Sequence, residues 1–482
     1  MKKLRFILAT FVAVFLAFTG SKALADTYTI TINGDTTGHT YEAYQIFKGD
    51  LSGDTLSNIQ WGNGVTPFNY NSKSTASDIA ATLKTDADAK SFAAEAGKHL
   101  STTTSGNYAN GKITGLEAGY YLVKDKDNTV PKDGAYTSFI MEVVKNVSVN
   151  TKSSVPKVEK KVKDINDSTD SEMSDWQDSA DHDINDKVPF KLTATLPSNF
   201  DSYKEYYLEF KDTLSAGLTY NKDAKVYLVN NGVKTDVTSS FTIADNGSSY
   251  KINNLKSLSG VTATTKVVVE YTATLNEHAV IGSAGNPNTV HLEYSNNPNY
   301  TGNGENSPKG ETPKDTVIVF TYKTVVNKVD QNKQPLAGAE FKLFKVLKDG
   351  SEKEVTTVEK NSTGDKFTFK GLDDGKYILK ETKTPAGYNT IADVEFKISA
   401  EMDLTSDNPT LKSLTATATS TNKLTFTSNI TDGSLTADVV NKKGSILPST
   451  GSIGTTILYA VGTILVLGAG ALLIVRKRMN TK

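Results

Sequence analysis

Several strand-like stretches of this 482-residue chain carry ionisable or amide side chains on faces that are otherwise apolar. Successive strand side chains point to opposite faces, so residues two apart share one. On that rule Lys328 lies with Phe320, Tyr322 and Val326, Glu381 with Tyr377 and Leu379, and Asn441 with Leu435, Ala437 and Val439. A second set repeats the pattern: Lys160 with Val158 and Val162, Asp212 with Leu208, Phe210 and Leu214, and Asn288 with Val290, Leu292 and Tyr294. Asn296 has the parity of Asn288 and is an alternative to it, and Lys161 is the register alternative to Lys160, although it would face outward beside Glu159. Burial lowers the pKa of an amine and raises that of a carboxyl. Each set therefore brings together a lysine inclined to be neutral, a carboxyl inclined to be protonated and a carboxamide. Leaving charged groups buried and unpaired costs several kcal/mol each, and reaction with one another removes that cost.

The two ends of the chain carry signals of a different kind. Leu447-Pro448-Ser449-Thr450-Gly451 is followed by an apolar run over 453–475 and then by Arg476-Lys477-Arg478. The run is long enough to cross a bilayer as a helix, and the basic tail would remain on the cytoplasmic side. This ordered trio over 444–482 resembles the cell-wall sorting signal of Gram-positive surface proteins. The resemblance implies that a sortase cuts between Thr450 and Gly451 and joins the Thr450 carboxyl to an amine. At the other end Lys2, Lys3 and Arg5 precede an apolar stretch over 6–18 and the small residues Ala23-Leu24-Ala25. Residues 1–25 read as a signal peptide, with the mature chain starting near Asp26.

Between these ends there is room for about three domains. The net charge of −1 gives no field for nucleic acid, and cysteine is absent, so disulfides cannot hold exported domains together. Histidines 39, 99, 182, 278 and 291 lack ligand spacing, so no metal site is expected. No serine–histidine–aspartate set or phosphate loop appears, no cofactor is implied, and the chain does not read as an enzyme. Short alternating runs separated by Gly, Asn and Asp turns predict an all-β chain of tandem immunoglobulin-like sandwiches. The first unit, 26–155, combines strands over 28–32, 41–47, 120–124 and 138–149 with a helical insertion over 77–84 and 87–99, for which Thr85 or Asp86 supplies an N-cap. The second, 156–316, contains an acidic stretch over 164–186. Its aspartates could hold calcium, but their spacing matches no recognised loop, and a solvated loop is the expectation. Residues 296–314 read as a linker, and the third unit is 317–443.

The third unit carries Asn327-Lys328-Val329-Asp330, Pro335-Leu336-Ala337-Gly338-Ala339-Glu340-Phe341 and a long run from Gly371 through Glu381 to Tyr388. These resemble a collagen-adhesin (Cna) B-type domain, and the last run is similar to the E box of pilins. With the sorting signal, they make the chain resemble the backbone pilins of streptococci and their relatives. The resemblance implies a spontaneous amide bond in each such domain, here Lys160 to Asn288 with Asp212 as the assisting acid, and Lys328 to Asn441 with Glu381. In the first unit Asp125 stands where Glu381 does, and Lys48 is a candidate amine. The apolar residues of the last strand are Val143, Val147 and Val149, whereas Asn146 and Asn150 face the other way, so no bond is expected there. The resemblance further implies a structural subunit, polymerised by a pilin-specific sortase through a lysine after the first domain. Lys157, which follows Pro156, and Lys152 are the candidates. A housekeeping sortase would attach the polymer to peptidoglycan at the cell surface. Accessory pilins, neighbouring copies and host matrix proteins are the implied partners, and the alternative is a minor pilus subunit or a monomeric wall-anchored adhesin.

Overall fold

The computed structural model describes residues 27–479 except 54, 144, 152, 171, 301, 420–423 and 445–452. The signal peptide therefore lies outside the described residues. The first unit is a pair of four-stranded sheets. In one, Tyr28–Asn33 pairs in parallel with Val147–Asn150 and antiparallel with Lys112–Leu116. In the other, Tyr41–Ser52 lies between Thr55–Trp61 and Gly119–Asp125. The strand expected over 138–149 divides into Ile140–Val143 and Val147–Asn150, which belong to different sheets, because the chain crosses the sandwich between them. The helical insertion is Ala76–Ala80 and Asp86–Ala96. Thr85 caps the second helix through a reciprocal box with Asp88. Ile79, Phe92, Ala93 and Ala96 pack under Phe47 and Phe68, so the insertion is part of the core.

The second unit packs two larger sheets around Phe190, Leu192, Leu208, Phe210, Leu292 and their neighbours. Lys157–Val162 is an edge strand of one sheet, paired with Lys187–Thr195. The residues expected to be a linker are folded onto this unit: Lys309–Glu311 pairs with Asn286–Ser295, and Asp315–Phe320 is a full member of the same sheet. The connection to the third unit is accordingly Thr321, where the strand Asp315–Phe320 gives way to Tyr322–Asp330. The same segment grips the first unit. Asn299 donates to the Thr137 carbonyl at 2.9 Å and accepts from the Phe139 amide at 2.9 Å, while Lys132 pairs with Glu311 at 2.6 Å.

The acidic stretch over 164–186 is also not a solvated loop. Asp178, Asp181 and Asp183 are buried, and the segment is wedged against the third unit. Asn166 bonds Asp374 at 2.6 Å, the Ile184 amide donates to the Gly371 carbonyl at 3.1 Å, and the Asp178 amide to that of Leu404 at 3.0 Å. Charge density had pointed to water; the partner surface supplies donors instead. Gly371 is required at this contact. Its φ is +74°, and a Cβ there would come within 2.3 Å of Ile184.

The third unit consists of two five-stranded sheets. Its first strand, Tyr322–Asp330, pairs in parallel with its last, Ser434–Asn441, with Lys328 opposite Val439 and Asp330 opposite Asn441. The facing sheet contains Gly375–Lys383, which carries Glu381. Beyond it a helix, Ile453–Met479, contains a 21-residue apolar span over 457–477 with a mean hydropathy of 2.4 and none of it buried against protein. Length and composition suit a lipid environment.

Substituting Gly371→Ala should strain the left-handed backbone and push Ile184 away. Urea unfolding of the third unit should then move to a lower midpoint, by about 1–2 kcal/mol; an unchanged midpoint would show that the contact tolerates a side chain.

Candidate functional site

In the second unit the strands of both sheets deliver four polar groups to one point in the core. Lys160 is fully buried, and its ammonium bonds the equally buried Asp212. Asp212 stands opposite Val290 and Leu214 opposite Asn288 on the neighbouring strand, so Asp212 and Asn288 are diagonal neighbours on one face. Tyr271, from the other sheet, lies among them. Its hydroxyl donates to Asp212 Oδ2 at 2.6 Å, receives Asn288 Nδ2 at 2.7 Å and lies 3.3 Å from Lys160 Nζ. Burial pushes the Lys160 amine below its ordinary pKa against the opposing pull of Asp212. The Asn288 carbonyl oxygen, Oδ1, is buried and has no hydrogen-bond partner. Orphaned buried acceptors are costly and uncommon, and this one belongs to the carboxamide nearest the lysine's cluster.

The third unit reaches a similar arrangement by a different route. Lys328 is fully buried, and its Nζ donates to the carbonyls of Val439 at 3.0 Å and Val329 at 3.1 Å. Burial lowers its pKa to about 8, partly opposed by Glu381. At neutral pH roughly a tenth of such an amine is unprotonated, far more than for a free lysine. Asn441 is buried on the adjacent parallel strand, and its Nδ2 donates to Glu381 Oε1 at 2.7 Å. Glu381 is held in turn by the Ile391 amide on Oε2 at 3.0 Å. Again the carbonyl oxygen, Asn441 Oδ1, is buried without a partner. The carboxylate thus sits on the nitrogen that would depart if Lys328 attacked the carboxamide.

A third buried lysine shows what this arrangement is not. Lys345 lies between Asp373 at 2.8 Å, Asp183 at 3.0 Å and Asp167 at 3.5 Å. Although burial alone would lower its pKa, the surrounding carboxylates raise it, and the ammonium is a fixed cation rather than a nucleophile.

Among its described residues the first unit has neither arrangement. Lys48 is exposed and stands opposite Gly119, while Asp125 stands opposite Tyr41 at the far end of the same strand pair, so the candidate amine is not near the acid. The unit's first and last strands are also parallel neighbours, and the core-facing pair they hold in register is Ile32 and Val149, both apolar. Asn146 and Asn150 are exposed, as parity required. Asp125 is buried, bonds the Thr137 amide and pairs with His39 Nδ1 at 2.7 Å.

Of the alternatives, Lys161 faces outward and pairs with Asp178 at 2.5 Å and Glu159 at 3.4 Å. Asn296 turns toward the first unit, its Nδ2 on the Gly134 carbonyl at 3.4 Å. Lys157 is exposed at the head of its edge strand. Lys152 and all five residues of Leu447-Pro448-Ser449-Thr450-Gly451 lie outside the described residues. Sequence parity did not single out Tyr271 or the Ile391 amide. Tyr271 shares its face with Val267, Val269 and Ala273, so its inward position was readable, but nothing in one sequence marks a core tyrosine as a bridge.

These features define a chain of tandem β-sandwiches, two of them with buried lysine–asparagine sets, that ends in a long apolar helix. Three family models match: a Gram-positive pilin backbone subunit 2, Cna-B-like domain over 184–298, a prealbumin-like fold domain (SpaA) over 323–410 and the LPXTG cell wall anchor motif over 439–481. The chain is homologous to Gram-positive backbone pilins and is cell-wall anchored at the bacterial surface. It is 28% identical over 403 residues to the trypsin-resistant surface T6 protein of Streptococcus pyogenes serotype M6, covering 68% of this chain and 70% of that protein. It is also 28% identical over 349 residues to the fimbrial subunit type 2 of Actinomyces naeslundii, covering 61% of this chain and 58% of the relative. The solved T6 backbone pilin of S. pyogenes shares the fold with a TM-score of 0.59 at 21% identity, over 88% of this chain and 100% of that one.

The His39–Asp125 pair gives the first unit a pH dependence. The hydrogen bond that His39 donates to the Asp125 carboxylate raises the His39 pKa above 6.5. A raised folded-state value means the stabilisation is present below the unfolded pKa and is lost as pH rises through the folded one. Urea unfolding followed by Trp61 fluorescence should give a higher midpoint at about pH 6 than at about pH 8, and His39→Gln should remove the difference. Equal midpoints in the unsubstituted chain would contradict this.

Proposed function

We propose that the chain is the backbone subunit of a sortase-assembled pilus, and that its second and third units are each closed by a side-chain amide, Lys160 to Asn288 and Lys328 to Asn441. The observation that carries this reading is the twice-repeated geometry of a buried lysine, a carboxyl and an asparagine whose carbonyl oxygen has no partner. In each unit the neutral amine attacks the carboxamide carbon, the C–N bond to the amide nitrogen breaks, and ammonia leaves with the transferred proton. Glu381 or Asp212 moves that proton, with Tyr271 bridging in the second unit. Each acid acts once within its own chain, so the protein is a structural component rather than a turnover enzyme.

Polymerisation would join Thr450 of one subunit, freed from Gly451 by a pilin-specific sortase, to Lys157 of the next. Lys157 lies on the second unit's edge strand, three residues before Lys160. Tension entering at Lys157 and leaving at the carboxy terminus would therefore pass through both amides. Closing such long loops also removes denatured-state entropy, on the order of 4–5 kcal/mol each by analogy with disulfides. A housekeeping sortase would finally transfer the polymer to peptidoglycan, with accessory pilins supplying contacts to host matrix.

Intact mass of the mature chain should fall below the sequence mass by about 17 Da per amide, two in all. Glu381→Ala should restore one ammonia and leave the third unit open to protease, and loss of neither ammonia in the unsubstituted chain would end the bond assignment. In boiled SDS extracts of cells carrying the pilin sortase, the chain should run as a ladder of very large species that Lys157→Ala abolishes. A single band would instead favour a monomeric wall-anchored adhesin, and a ladder surviving Lys157→Ala would move the linkage to Lys152.

A further inference from the structure

Carboxylates accumulate at the joint between the second and third units beyond the cations that face them. One group, Asp167, Asp183 and Asp186, is met by the protein's own lysines: Lys345 lies 3.0 Å from Asp183, and Lys353 lies 3.7 Å from Asp183 and 3.8 Å from Asp186. The other group is met less fully: the buried His182, whose pKa is raised, offsets only part of the charge on Asp164 and Asp181. Asp164, Asp181 and Asp373 each place a carboxylate oxygen within 4.8 Å of the other two. Only Asp373 has a lysine, Lys345 at 2.8 Å, while Asp374 adds a fourth acid whose amide donates to Asp181 at 3.3 Å.

Two further oxygens at this point lack the partner their burial demands. Asp164 Oδ1 is shut off from solvent with no hydrogen bond. Tyr322 is fully buried on the first strand of the third unit; its hydroxyl, turned toward Asp181, also makes no hydrogen bond of normal geometry. Burial, augmented by neighbouring carboxylates, raises the pKa of Asp181 and of Asp373, and burial lifts Asp164 to about 6. The His182 imidazole and the Lys345 ammonium offset this burial only in part.

We propose that Asp164, Asp181 and Asp373 form a binding site for a calcium-class divalent cation that bridges the second and third units. The donors are all hard oxygens, and oxygens sharing one calcium at ~2.4 Å lie no more than about 5 Å apart, which the cluster satisfies. Asp164 and Asp181 belong to the acidic stretch of the second unit, and Asp373 to the turn before the strand Gly375–Lys383 of the third. The ion ties the two sandwiches at a point that neither amide spans. The shaft would then be stiff where it is covalently closed and, at this joint, only as stiff as the calcium supply allows.

Equilibrium dialysis of the purified full chain against radioactive calcium chloride tests the site. One saturable ion per chain is expected, with a dissociation constant in the range of about 10⁻⁴ to 10⁻³ M found for extracellular modules. Asp181→Asn and Asp164→Asn should each weaken binding by about tenfold or more. Asp175→Asn, an exposed member of the same stretch, should leave it unchanged. Near-ultraviolet circular dichroism establishes that each variant is folded, and the two ligand variants are independent of one another. Absence of saturable binding up to about 10 mM would overturn the proposal. So would equal weakening by Asp175→Asn, which would mean diffuse attraction to an acidic surface.

Discussion

The central constraint is the cost of holding an amine, a carboxyl and a carboxamide inside a β-sandwich. A buried charge that is incompletely paired is destabilising by several kcal/mol, and a buried carbonyl without a donor adds more. A sandwich that retained these groups unreacted would be less stable than one filled with valine or isoleucine. In the first unit the parallel pair of first and last strands buries Ile30, Ile32 and Val149 instead. On the proposed reading, the polar sets persist in the other two units because burial also primes them to react, by lowering the lysine pKa. Lys345 marks the boundary of the argument, since three carboxylates around one amine hold it charged and give an ion cluster.

Much of this was legible in the sequence because strand periodicity is a strict rule. Lys160, Asp212, Asn288, Lys328 and Asn441 are all buried, as alternation with their apolar neighbours required. The cap of the second helix was read only as Thr85 or Asp86, and the structure assigns it to Thr85. Alternation says which face a residue occupies, but not what stands across the sandwich from it. Tyr271 therefore went unmarked, and Lys48 was offered as a candidate amine for Asp125, with no bond expected, although register puts them at opposite ends of their strands.

The larger errors were at the joints. Residues 296–314 have the composition of a linker and 164–186 that of a solvated loop, because Asn, Gly, Pro and Asp serve turns and water equally well. Both segments instead pack against the neighbouring unit, where Asn299, Asn166 and Ser168 place their side chains on the partner's backbone or side chains. A single sequence carries no signal for a surface supplied by another domain. The joints are accordingly polar, close-fitting and dependent on particular residues such as Gly371, while the sandwich interiors follow generic patterning. For a chain without cysteine, the proposed amides would act within the units, while polar packing acts between them.

The amide itself is the claim on which this account rests, and peptide mapping of the mature chain addresses it most directly. Digestion should yield a branched peptide in which the segment containing Lys328 is joined to that containing Asn441, lighter by one ammonia than the sum of the two. Recovery of the two segments as separate linear peptides, each at full mass, would contradict it.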